Sequence, residues 1–466
     1  MKICPALLLL LLCGCAAGPD FVRPAAPRAQ GYAESGSAAG AQRILLGAEV
    51  APTWWTLFGS DGLDELIHQA LSGSPTIAAA QMTLAQAQEL TAAAAGARFA
   101  RVDLTGGAGR QKYGKEFLGP LTAPPPFTYF AAGATVNYTF DAAGGIARSI
   151  EERRALLENQ RQELRAAHLA LAGNVVSRAI AIASACERIR AINELLEEDR
   201  RNRRLVQTSF DAGNTTRVDV LFADSQLAND ETLLPPAAQE LALARHALAV
   251  LVGHSPADFS PPELDFGTLK LPDTLPVSLP SELARQRPDI LAAEAQLHAA
   301  TAQVGVATAN LYPHITLTGS VGQQALTLGT LFSGGNDVWT VASGLTAPIF
   351  DGGTLRAQRR ADIDAMQARA ADYEEAVLGG LRQVADVLTA IDEDAALLGA
   401  ETHALAAAQA SLNLARESYA AGNVGVLQVL DAERAYSRAR LDYVRVEAAR
   451  YVDTAQLYLA LGGTAP

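Results

Sequence analysis

The chain has 466 residues, of which 37 are basic and 50 are acidic, giving a formal net charge of -13. This acidic balance argues against nucleic acid as a partner. Seven scattered histidines show no metal-ligand spacing, and His254 and Ser255 lack the further residue that a nucleophile and its base would need. The sequence therefore predicts neither an enzyme nor a metal site, and no cofactor.

The chain begins with an apolar leader that ends in cysteine. Six leucines follow one basic residue, in a stretch far shorter than the ~20 residues of a spanning helix. Residues 1–14 are therefore predicted to be a secretory signal peptide. The letters LCGC, which end at Cys15, resemble the lipobox of bacterial lipoproteins. That resemblance implies cleavage before Cys15 and acylation of its thiol and amine, and an ordinary signal peptide cut elsewhere is the alternative.

The segment after this cleavage, residues 15–60, is predicted to be a lipid-anchored N-terminal segment. Cleavage removes one basic residue, so the mature chain has 36 basic and 50 acidic residues. Cys186 is the only cysteine left besides the lipidated one, and no disulfide is predicted within one chain. Ala16, rather than an aspartate, follows the cysteine, which in such lipoproteins resembles the outer-membrane address.

Residues 61–253 combine long helical patterns with two strands. Residues 101–113 and 128–140 alternate apolar and polar side chains, the second more cleanly than the first. Such a period of two predicts half-apolar strands, of roughly the length that crosses a bilayer in a barrel. A long helical pair follows, and its two legs meet at Gly213 and Asn214. Glycine followed by asparagine suits the positive φ of a helix C-cap.

The same order of elements recurs after a proline-rich stretch. Residues 254–280 contain too many helix breakers for a long helix and are predicted to be a linker. The second set spans 281–461, with strands at about 312–322 and 338–350, and a short tail, 462–466, follows. Apolar residues recur three and four positions apart in its helices, which predicts coiled-coil-like seams, for example at Leu412, Ala415, Ala448, Tyr451, Ala455 and Tyr458.

Direct alignment shows that the recurrence is a tandem duplication. FDAGNTTRVDVLFAD at 210–224 realigns with YAAGNVGVLQVLDAE at 419–433, which pairs the first turn with Gly422 and Asn423. Residues 74–87 and 138–141 likewise realign with 287–300 and 348–351. The mature chain is therefore predicted to contain two repeats of about 210 residues.

The strand count leads to a prediction about assembly. Four strands cannot close a barrel on their own, because about eight is the smallest membrane barrel. Two chains would supply eight strands, and three would supply twelve with room for a lumen. The residues alone leave both arrangements open.

Three stretches carry a family resemblance: GCAAGPDFVRP from Gly14, WWTLFGSDGLDELIHQAL at 54–71 and LPSELARQRPDILAAEAQL at 279–297. From Cys15 to about Leu461 the chain resembles the TolC-like outer-membrane efflux proteins, in the lipoprotein branch that includes the NodT-type channels. The resemblance implies a mainly α fold with a β-barrel segment. Duplicated long-helix hairpins would form the α-helical tunnel of a homotrimer, below a shared twelve-stranded outer-membrane barrel.

The resemblance also implies partners and cargo. A lipid-anchored duct in the outer membrane, with a long periplasmic extension, would dock to a periplasmic adaptor and an inner-membrane transporter of the resistance-nodulation-division (RND) class. It would release drugs or other small amphipathic compounds passively. A channel for a secreted polypeptide and a lipid-anchored coiled-coil scaffold without a pore are the alternatives, and the strands argue against the scaffold. Met82 and Met366 are the only methionines after Met1, which weakens a soft-metal cargo.

Site residues follow from the same resemblance. The turns at Gly213-Asn214 and Gly422-Asn423 would lie at the periplasmic tip, where the adaptor docks and the pore closes. Leu427 and Asp431 match a leucine and an aspartate that form constricting rings in related channels, and a spacing of four places them on one helix face.

The duplication bears on the size of the acidic ring. At the offset of the repeats the counterpart of Asp431 is Phe222, so a trimer would carry three acids at that level. Asp219 and Asp224 of the first turn are the next candidates for the gate. Without the family resemblance, Asp431 would be interpreted as a solvated helix residue near a turn.

One departure from the family pattern falls after the second strand. Ala143 and Ala147 stand where the family usually has an aromatic residue and an arginine. Different packing is therefore expected where the barrel meets the tunnel, with the fold itself unchanged.

Overall fold

The computed structural model describes residues 16–32, 42–48, 50–113 and 125–463. The predicted signal peptide and Cys15 lie outside these residues. As the sequence predicts, the fold is mainly α. The helices are α1 (Asp61–Gly73), α2 (Pro75–Gly96), α3 (Gly145–Asp211), α4 (Arg217–Glu231), α5 (Leu234–Val252), α6 (Pro280–Gln286), α7 (Pro288–Ala309), α8 (Thr354–Ala420) and α9 (Val426–Ala460). The strands are β1 (Arg43–Leu46), β2 (Arg101–Gln111), β3 (Phe127–Phe140), β4 (Thr274–Val277), β5 (His314–Ala325) and β6 (Asp337–Thr346).

Two compact units divide the chain, and each contains parts of both sequence repeats. The strand unit comprises Met1–Pro24, Leu84–Gln160 and Ala293–Tyr373, and the helical unit comprises the rest. These units differ from the sequence repeats, whose boundaries stay a prediction. The segment predicted as a linker contributes β4, which pairs in parallel with β1 in the helical unit.

The strand unit contains one antiparallel sheet in the order β2-β3-β5-β6. Its register aligns Val102, Val136, Gly319 and Val341 across the four strands, and alternate residues point to opposite faces. One face is therefore apolar and exposed, with large side chains at Val102, Leu104, Val136, Phe140, Leu317, Val321, Trp339, Val341 and Leu345. The other carries mostly small and polar residues, among them Thr105, Thr135, Asn137, Thr316, Thr318, Ser320 and Thr340.

Prolines set two strand boundaries that differ from the predicted ones. The last strand was expected to reach residue 350, but β6 ends at Thr346, two residues before Pro348. The third was expected from 312, but β5 begins at His314, directly after Pro313. Proline has no N–H to donate to a ladder, so neither segment can continue the sheet through it.

A pair of glycines allows β3 and β5 to approach closely. Gly133 and Gly322 are direct partners in the register. A Cβ on Gly133 would lie 2.6 Å from the carbonyl oxygen of Val321, and one on Gly322 would lie 2.5 Å from that of Ala132. Real Cβ atoms do not come this close to backbone, so the strand spacing requires glycine at both positions.

The core of the helical unit forms around a 3-10 helix, Trp54–Phe58. Trp54 and Phe58 are fully buried, and the Trp54 ring stacks on Tyr458 at a centroid distance of 5.3 Å. The seam residues Ala448, Tyr451, Ala455 and Tyr458 of α9 are all buried. Among the described helices, α3 has a stretch long and apolar enough to cross a membrane, but 56% of that stretch is buried. This stretch belongs to the protein core.

Two helical hairpins follow the two strand pairs. Their outgoing legs, α3 and α8, have 67 residues each. The return leg of the second hairpin is the continuous α9, whereas that of the first is divided into α4 and α5. Two prolines, Pro235 and Pro236, stand at the start of α5 and cannot continue the backbone ladder of α4. The long helical pair predicted for the first repeat therefore has a broken second leg.

The glycine pair in the sheet gives a direct test of the β3–β5 packing. We expect Gly322→Ala to destabilise the sheet by about 1–3 kcal/mol, because a methyl group would press on the backbone of β3. Gly319→Ala is the matched control on the same strand, since its Cβ would meet nothing closer than 4.0 Å. Thermal melting of the β signal in circular dichroism measures both, and equal melting of the two variants would contradict this packing.

Candidate functional site

The two hairpin turns share one backbone conformation. Gly213 and Gly422 have φ angles of 79° and 76°. In the first turn the N–H groups of Gly213 and Asn214 donate to the carbonyls of Phe210 and Ser209, at 2.8 and 2.9 Å. Gly422 and Asn423 donate to the equivalent carbonyls, both at 2.9 Å. This is the Schellman geometry, in which glycine is required for its positive φ.

The turns differ at the start of the next helix. Thr216 caps α4 and forms a capping box with Asp219, whose carboxylate accepts the Thr216 N–H at 2.8 Å and the Thr215 hydroxyl at 2.6 Å. These hydrogen bonds lower the pKa of Asp219 to about 2. Gly425 takes the capping position of α9 and offers no side chain. The first turn is thus secured by side chains that the second turn lacks.

Leu427 and Asp431 lie in the first two turns of α9 and are exposed. The side chain of Leu427 is 45% exposed and that of Asp431 is 71% exposed. Val429 and Leu430 of the same helix are buried, and Leu430 packs with Val206 and Val220 of the first hairpin. The buried face of α9 therefore fixes the helix and leaves the predicted gate residues free.

Arg434 lies three residues after Asp431 on α9 and pairs with it. Its guanidinium lies 3.7 Å from the Asp431 carboxylate and 5.7 Å from the centre of the Phe222 ring. It also donates to the side-chain oxygen of Gln226 on α4. Of the alternative gate residues, Asp219 serves as a helix cap and Asp224 pairs with Arg203. Asp431 is the least constrained of the three carboxylates.

A buried cluster of charged side chains surrounds Glu433, two residues after Asp431 on α9. The sequence analysis did not predict it. Glu433 is only 4% exposed, and its carboxylate accepts hydrogen bonds from Arg416 on α8, at 2.7 Å, and from Asn202 on α3. Arg416 also pairs with Glu198 on α3. Burial raises the pKa of Glu433, although the Arg416 hydrogen bond opposes that rise. Glu433 follows Val429 by four residues and therefore lies on the same helix face. This spacing was the sequence signal that could have indicated its burial.

A pair of carboxyl groups links the two legs of the first hairpin. Asp199 on α3 is 5% exposed. Burial, a hydrogen bond to Asp230 on α4 and repulsion from the Asp230, Glu433 and Glu198 carboxylates raise the pKa of Asp199 to about 7. In the second hairpin, burial and a hydrogen bond to Asp394 raise the pKa of Asp453 to about 6. Each pair retains a proton well above the ordinary range for aspartate.

A groove with a volume of about 540 Å³ lies between the hairpins and is lined by α3, α8 and α9. Its wall alternates in charge, with Glu194 and Glu198 facing Arg416 and Arg440. Arg440 pairs with Glu194 at 2.9 Å. Tyr436 also lines this groove. Within the described residues, no group of three or more His, Cys, Asp or Glu side chains is arranged to hold a metal ion.

Arg287 explains the packing of the motif LPSELARQRPDI. Its guanidinium donates to the carbonyl of Ala460 at 2.8 Å, to the Gln383 side chain at 2.6 Å and to Asp289 at 2.8 Å. One side chain therefore ties the start of α7 to α8 and to the end of α9. This contact belongs to the helical unit and serves the fold.

The departure at Ala143 and Ala147 is accompanied by a neighbouring arginine. Arg148 is 5% exposed and donates to the carbonyl of Ala17 at 3.1 Å, to Asp20 at 2.6 Å and to Glu151 at 2.7 Å. The N–H of Ala17 in turn donates to the carbonyl of Ala143 at 2.9 Å. The residues that follow the predicted lipidation site are therefore bound to the junction of β3 and α3.

The chain matches the family model described as outer membrane efflux protein over residues 66–254 and 279–463. The pyoverdine export outer membrane protein OpmQ of Pseudomonas aeruginosa is 30% identical, covering 99% of this chain and 96% of its own. The cation efflux system protein CusC of Escherichia coli K12 is 27% identical, covering 99% of both chains. The structure of the outer-membrane channel OprN superposes with a TM-score of 0.87 at 29% identity, covering 97% of this chain and 100% of that one.

The fold and these matches together define an outer-membrane channel for efflux. The chain belongs to the outer membrane efflux protein family. The relatives named above are channels and export proteins, not enzymes. The resemblance inferred from the sequence is thus confirmed, as are its outer-membrane location and its efflux function.

The carboxyl pair at Asp199 leads to a pH prediction. Because its pKa is raised from 3.8 to about 7, the folded state binds a proton that the unfolded state releases, so stability falls as pH rises from about 4 to about 7. We expect Asp199→Asn to reduce the loss of melting temperature between pH 5 and pH 8. Asp211→Asn, an exposed change on the same helix, is the control. Helical circular dichroism of the purified protein measures both, and an unchanged pH dependence in Asp199→Asn would contradict the assignment.

Proposed function

We propose that this protein is the outer-membrane component of a tripartite efflux system and works as a homotrimer. Three chains share a twelve-stranded barrel and a helical tunnel, and the duct passively releases drugs or other small amphipathic compounds. One observation carries the proposal: a four-stranded sheet with one apolar face, one small and polar face, and two edges that have no partner strand among the described residues.

The two faces of the sheet favour three copies over two. In a membrane every backbone N–H and C=O needs a partner, so β2 of one chain has to pair with β6 of another. An eight-stranded barrel is filled by its interior side chains. The polar face here carries threonine, serine and glycine, which suit a water-filled lumen rather than a packed interior. Twelve strands from three chains provide that lumen.

The charge of the polar face supports a broad range of cargo. Arg101 and Asp103 are the only Lys, Arg, Asp or Glu residues on that face of the described strands, and they pair with each other at 2.9 Å. A nearly neutral lining does not select strongly by charge. The selection of substrates is therefore assigned to the partner pump. The different cargoes named for OpmQ and CusC, pyoverdine and cations, are consistent with one duct architecture.

We assign the two glycine turns, Gly213-Asn214 and Gly422-Asn423, to the periplasmic tip and to contact with the adaptor. Both turns are open, since nothing lies within 4 Å of a Cβ built at either glycine. The groove between α3, α8 and α9 offers an adaptor charges of both signs together with the aromatic ring of Tyr436. The inner-membrane partner is proposed to be an RND-class transporter, which supplies the energy.

The gate is assigned to Leu427 and Asp431. Both are exposed on a helix whose other face is fixed by buried Leu430. In a trimer the three Asp431 carboxylates would repel one another and attract cations, so closure requires counterions or hydrogen bonds. Arg434 is positioned to supply part of that compensation.

Lipidation of Cys15 completes the proposal. Ala17 and Asp20, two and five residues further along the chain, bind buried Arg148 in the strand unit. Several acyl chains on one cysteine anchor a protein firmly, whereas a single chain anchors it only marginally. A scaffold without a pore, the alternative considered for the sequence, has no use for a sheet with an exposed apolar face.

Single-channel recording in planar bilayers tests the duct and its gate together. We expect the purified protein to form discrete channels, Leu427→Ala to raise the resting conductance, and Asp431→Ala to lower the preference for cations. Glu417→Ala removes the same charge on the other side of the turn and should leave the cation preference near that of the parent protein.

Two results would count against this assignment. Correctly assembled protein that shows no conductance would contradict the proposal that the protein is a duct. Conducting variants in which Leu427→Ala and Asp431→Ala behave like the parent would place the gate elsewhere, with Asp224 then the better candidate.

A further inference from the structure

The elements of the two predicted repeats match in length and position. α2 and α7 have 22 residues each, and α3 and α8 have 67 each. A shift of 213 residues moves Pro75 onto Pro288, and with it both ends of α2 and the start of β2 onto those of α7 and β5. A shift of 209 residues moves both ends of α3 onto those of α8. Each strand of the first repeat therefore has a counterpart in the second.

The ladders within the two strand pairs agree with these shifts. Arg101 pairs with Asn137, and the counterpart of Arg101, which is His314, pairs with Thr346. Thr346 lies 209 residues after Asn137, the same shift that relates α3 to α8. The residues of β6 are thus the counterparts of those of β3, in the same way that the residues of β5 are the counterparts of those of β2.

The ladder between the repeats, β3 with β5, is staggered. Val102 on β2 pairs with Val136, which pairs with Gly319 on β5. The counterpart of Val102 is Ile315, which lies four residues before Gly319. The second repeat is therefore displaced by four residues along the strands relative to the first. A barrel of tilted strands closes when such a stagger continues around it.

We propose that β6 of one copy pairs with β2 of the next copy in the same register that joins β3 to β5 within one chain. The inference rests on the homotrimer and the shared barrel proposed above. Each residue of β3 is replaced by its counterpart on β6, and each residue of β5 by its counterpart on β2. Thr346 of one copy then lies opposite Thr105 of the next, and the ladder joins residues 340–346 to residues 105–111.

The two faces of the sheet agree with this register. Thr105 and Thr346 both belong to the small and polar face, and Leu345 lies opposite Gly106 on the apolar face. A register changed by one residue would turn the apolar side chains of one strand toward the lumen. The alternatives therefore differ from the proposed register by two residues or by multiples of two.

The closest contact of the β3–β5 ladder has small residues as its counterparts. Gly133 corresponds to Ala342, and Gly322 corresponds to Gly109. The proposed register places Gly109 of one copy directly opposite Ala342 of the other. Small side chains at both positions permit the close approach of two strands that the glycine pair permits within the chain.

The register also gives a partner to exposed apolar residues at the ends of both edge strands. Ile349 and Phe350, which follow β6, are 91% and 92% exposed. Val102 and Leu104, at the start of β2, are 66% and 90% exposed. The stagger brings these two segments of adjacent copies side by side, just beyond the end of the ladder. Contact between them covers apolar surface on both.

A register with flush strand ends is the competing arrangement. It places Thr346 opposite Arg101, and it places Asp337 opposite Arg110 on the outer face. An ion pair between exposed residues contributes little to stability. The flush register also leaves the exposed apolar segment after β6 beyond the first residue of β2, without a strand beside it.

Disulfide cross-linking of the full-length protein tests the register. In a Cys186→Ala background, Thr105→Cys combined with Thr346→Cys places two thiols opposite each other across the boundary between copies. Directly opposed residues of antiparallel strands have Cα atoms about 4.5–5.5 Å apart, which a disulfide can span. A bond within one chain is excluded, because β3 and β5 separate β2 from β6. After oxidation of membranes with copper phenanthroline, we expect most of the protein to migrate as a covalent trimer in electrophoresis without reductant.

Further cysteine pairs in the same background complete the scan. Gln111→Cys combined with Thr340→Cys lies at the other end of the proposed ladder and should also give covalent trimers. Arg101→Cys and Asp103→Cys, each combined with Thr346→Cys, match registers that differ by four and by two residues, and both should give few. The Thr346→Cys single variant measures random collision. Native mass spectrometry of the parent and of each variant shows whether the trimer assembles.

The outcomes separate the register from the assembly. Trimers that cross-link Thr346→Cys to Arg101→Cys or to Asp103→Cys, rather than to Thr105→Cys, overturn the register and leave the shared barrel in place. Assembled trimers without a cross-link in any pair overturn the direct pairing of β6 with β2. A parent protein whose dominant mass differs from three chains overturns the homotrimer, and the proposed interface with it.

Discussion

Unpaired strand edges are the constraint on which this structure depends. Among the described residues the sheet ends at β2 on one side and at β6 on the other, and its apolar face carries exposed Leu104, Trp339 and Val341. Such a face belongs in lipid, where each unpaired backbone group costs several kcal/mol. Four strands are too few to close a barrel, and this is the reason for proposing that several copies of the chain share one.

The duplication predicted from the sequence would explain how one chain supplies both a sheet and a pair of hairpins. Each repeat contributes two strands and one hairpin, and the two Schellman turns reproduce each other bond for bond. The two hairpins differ where the return legs begin. Thr216 and Asp219 cap the first return leg, whereas Gly425 leaves the second without a side-chain cap. The prolines of α5 divide only the first return leg. The second turn is therefore the less constrained of the two. The residues assigned to the gate lie directly after it.

Local patterns predicted the parts of the fold that depend on local physics. Period-two alternation located the strands to within a few residues, and the Gly-Asn pairs located both turns. Prolines 313 and 348 adjusted the strand ends, and Pro235 and Pro236 broke a leg that was expected to be continuous. The contacts of Glu433 with Arg416 and Asn202, and that of Asp199 with Asp230, could not be predicted. These contacts join residues far apart in sequence, and the presence of a charged residue in a sequence does not indicate that it is buried. The proposed gate would form only between chains, so the contacts within one chain do not contain the ring.

Native mass spectrometry of the purified full-length protein, released from detergent micelles, tests the shared barrel most directly. The account predicts one dominant species whose mass equals three chains, because the polar face of the sheet requires a lumen that twelve strands provide and eight do not. A dominant species of two chains would give an eight-stranded barrel filled by side chains, and a dominant monomer would leave both edges of the sheet unpaired. Either mass would contradict the account.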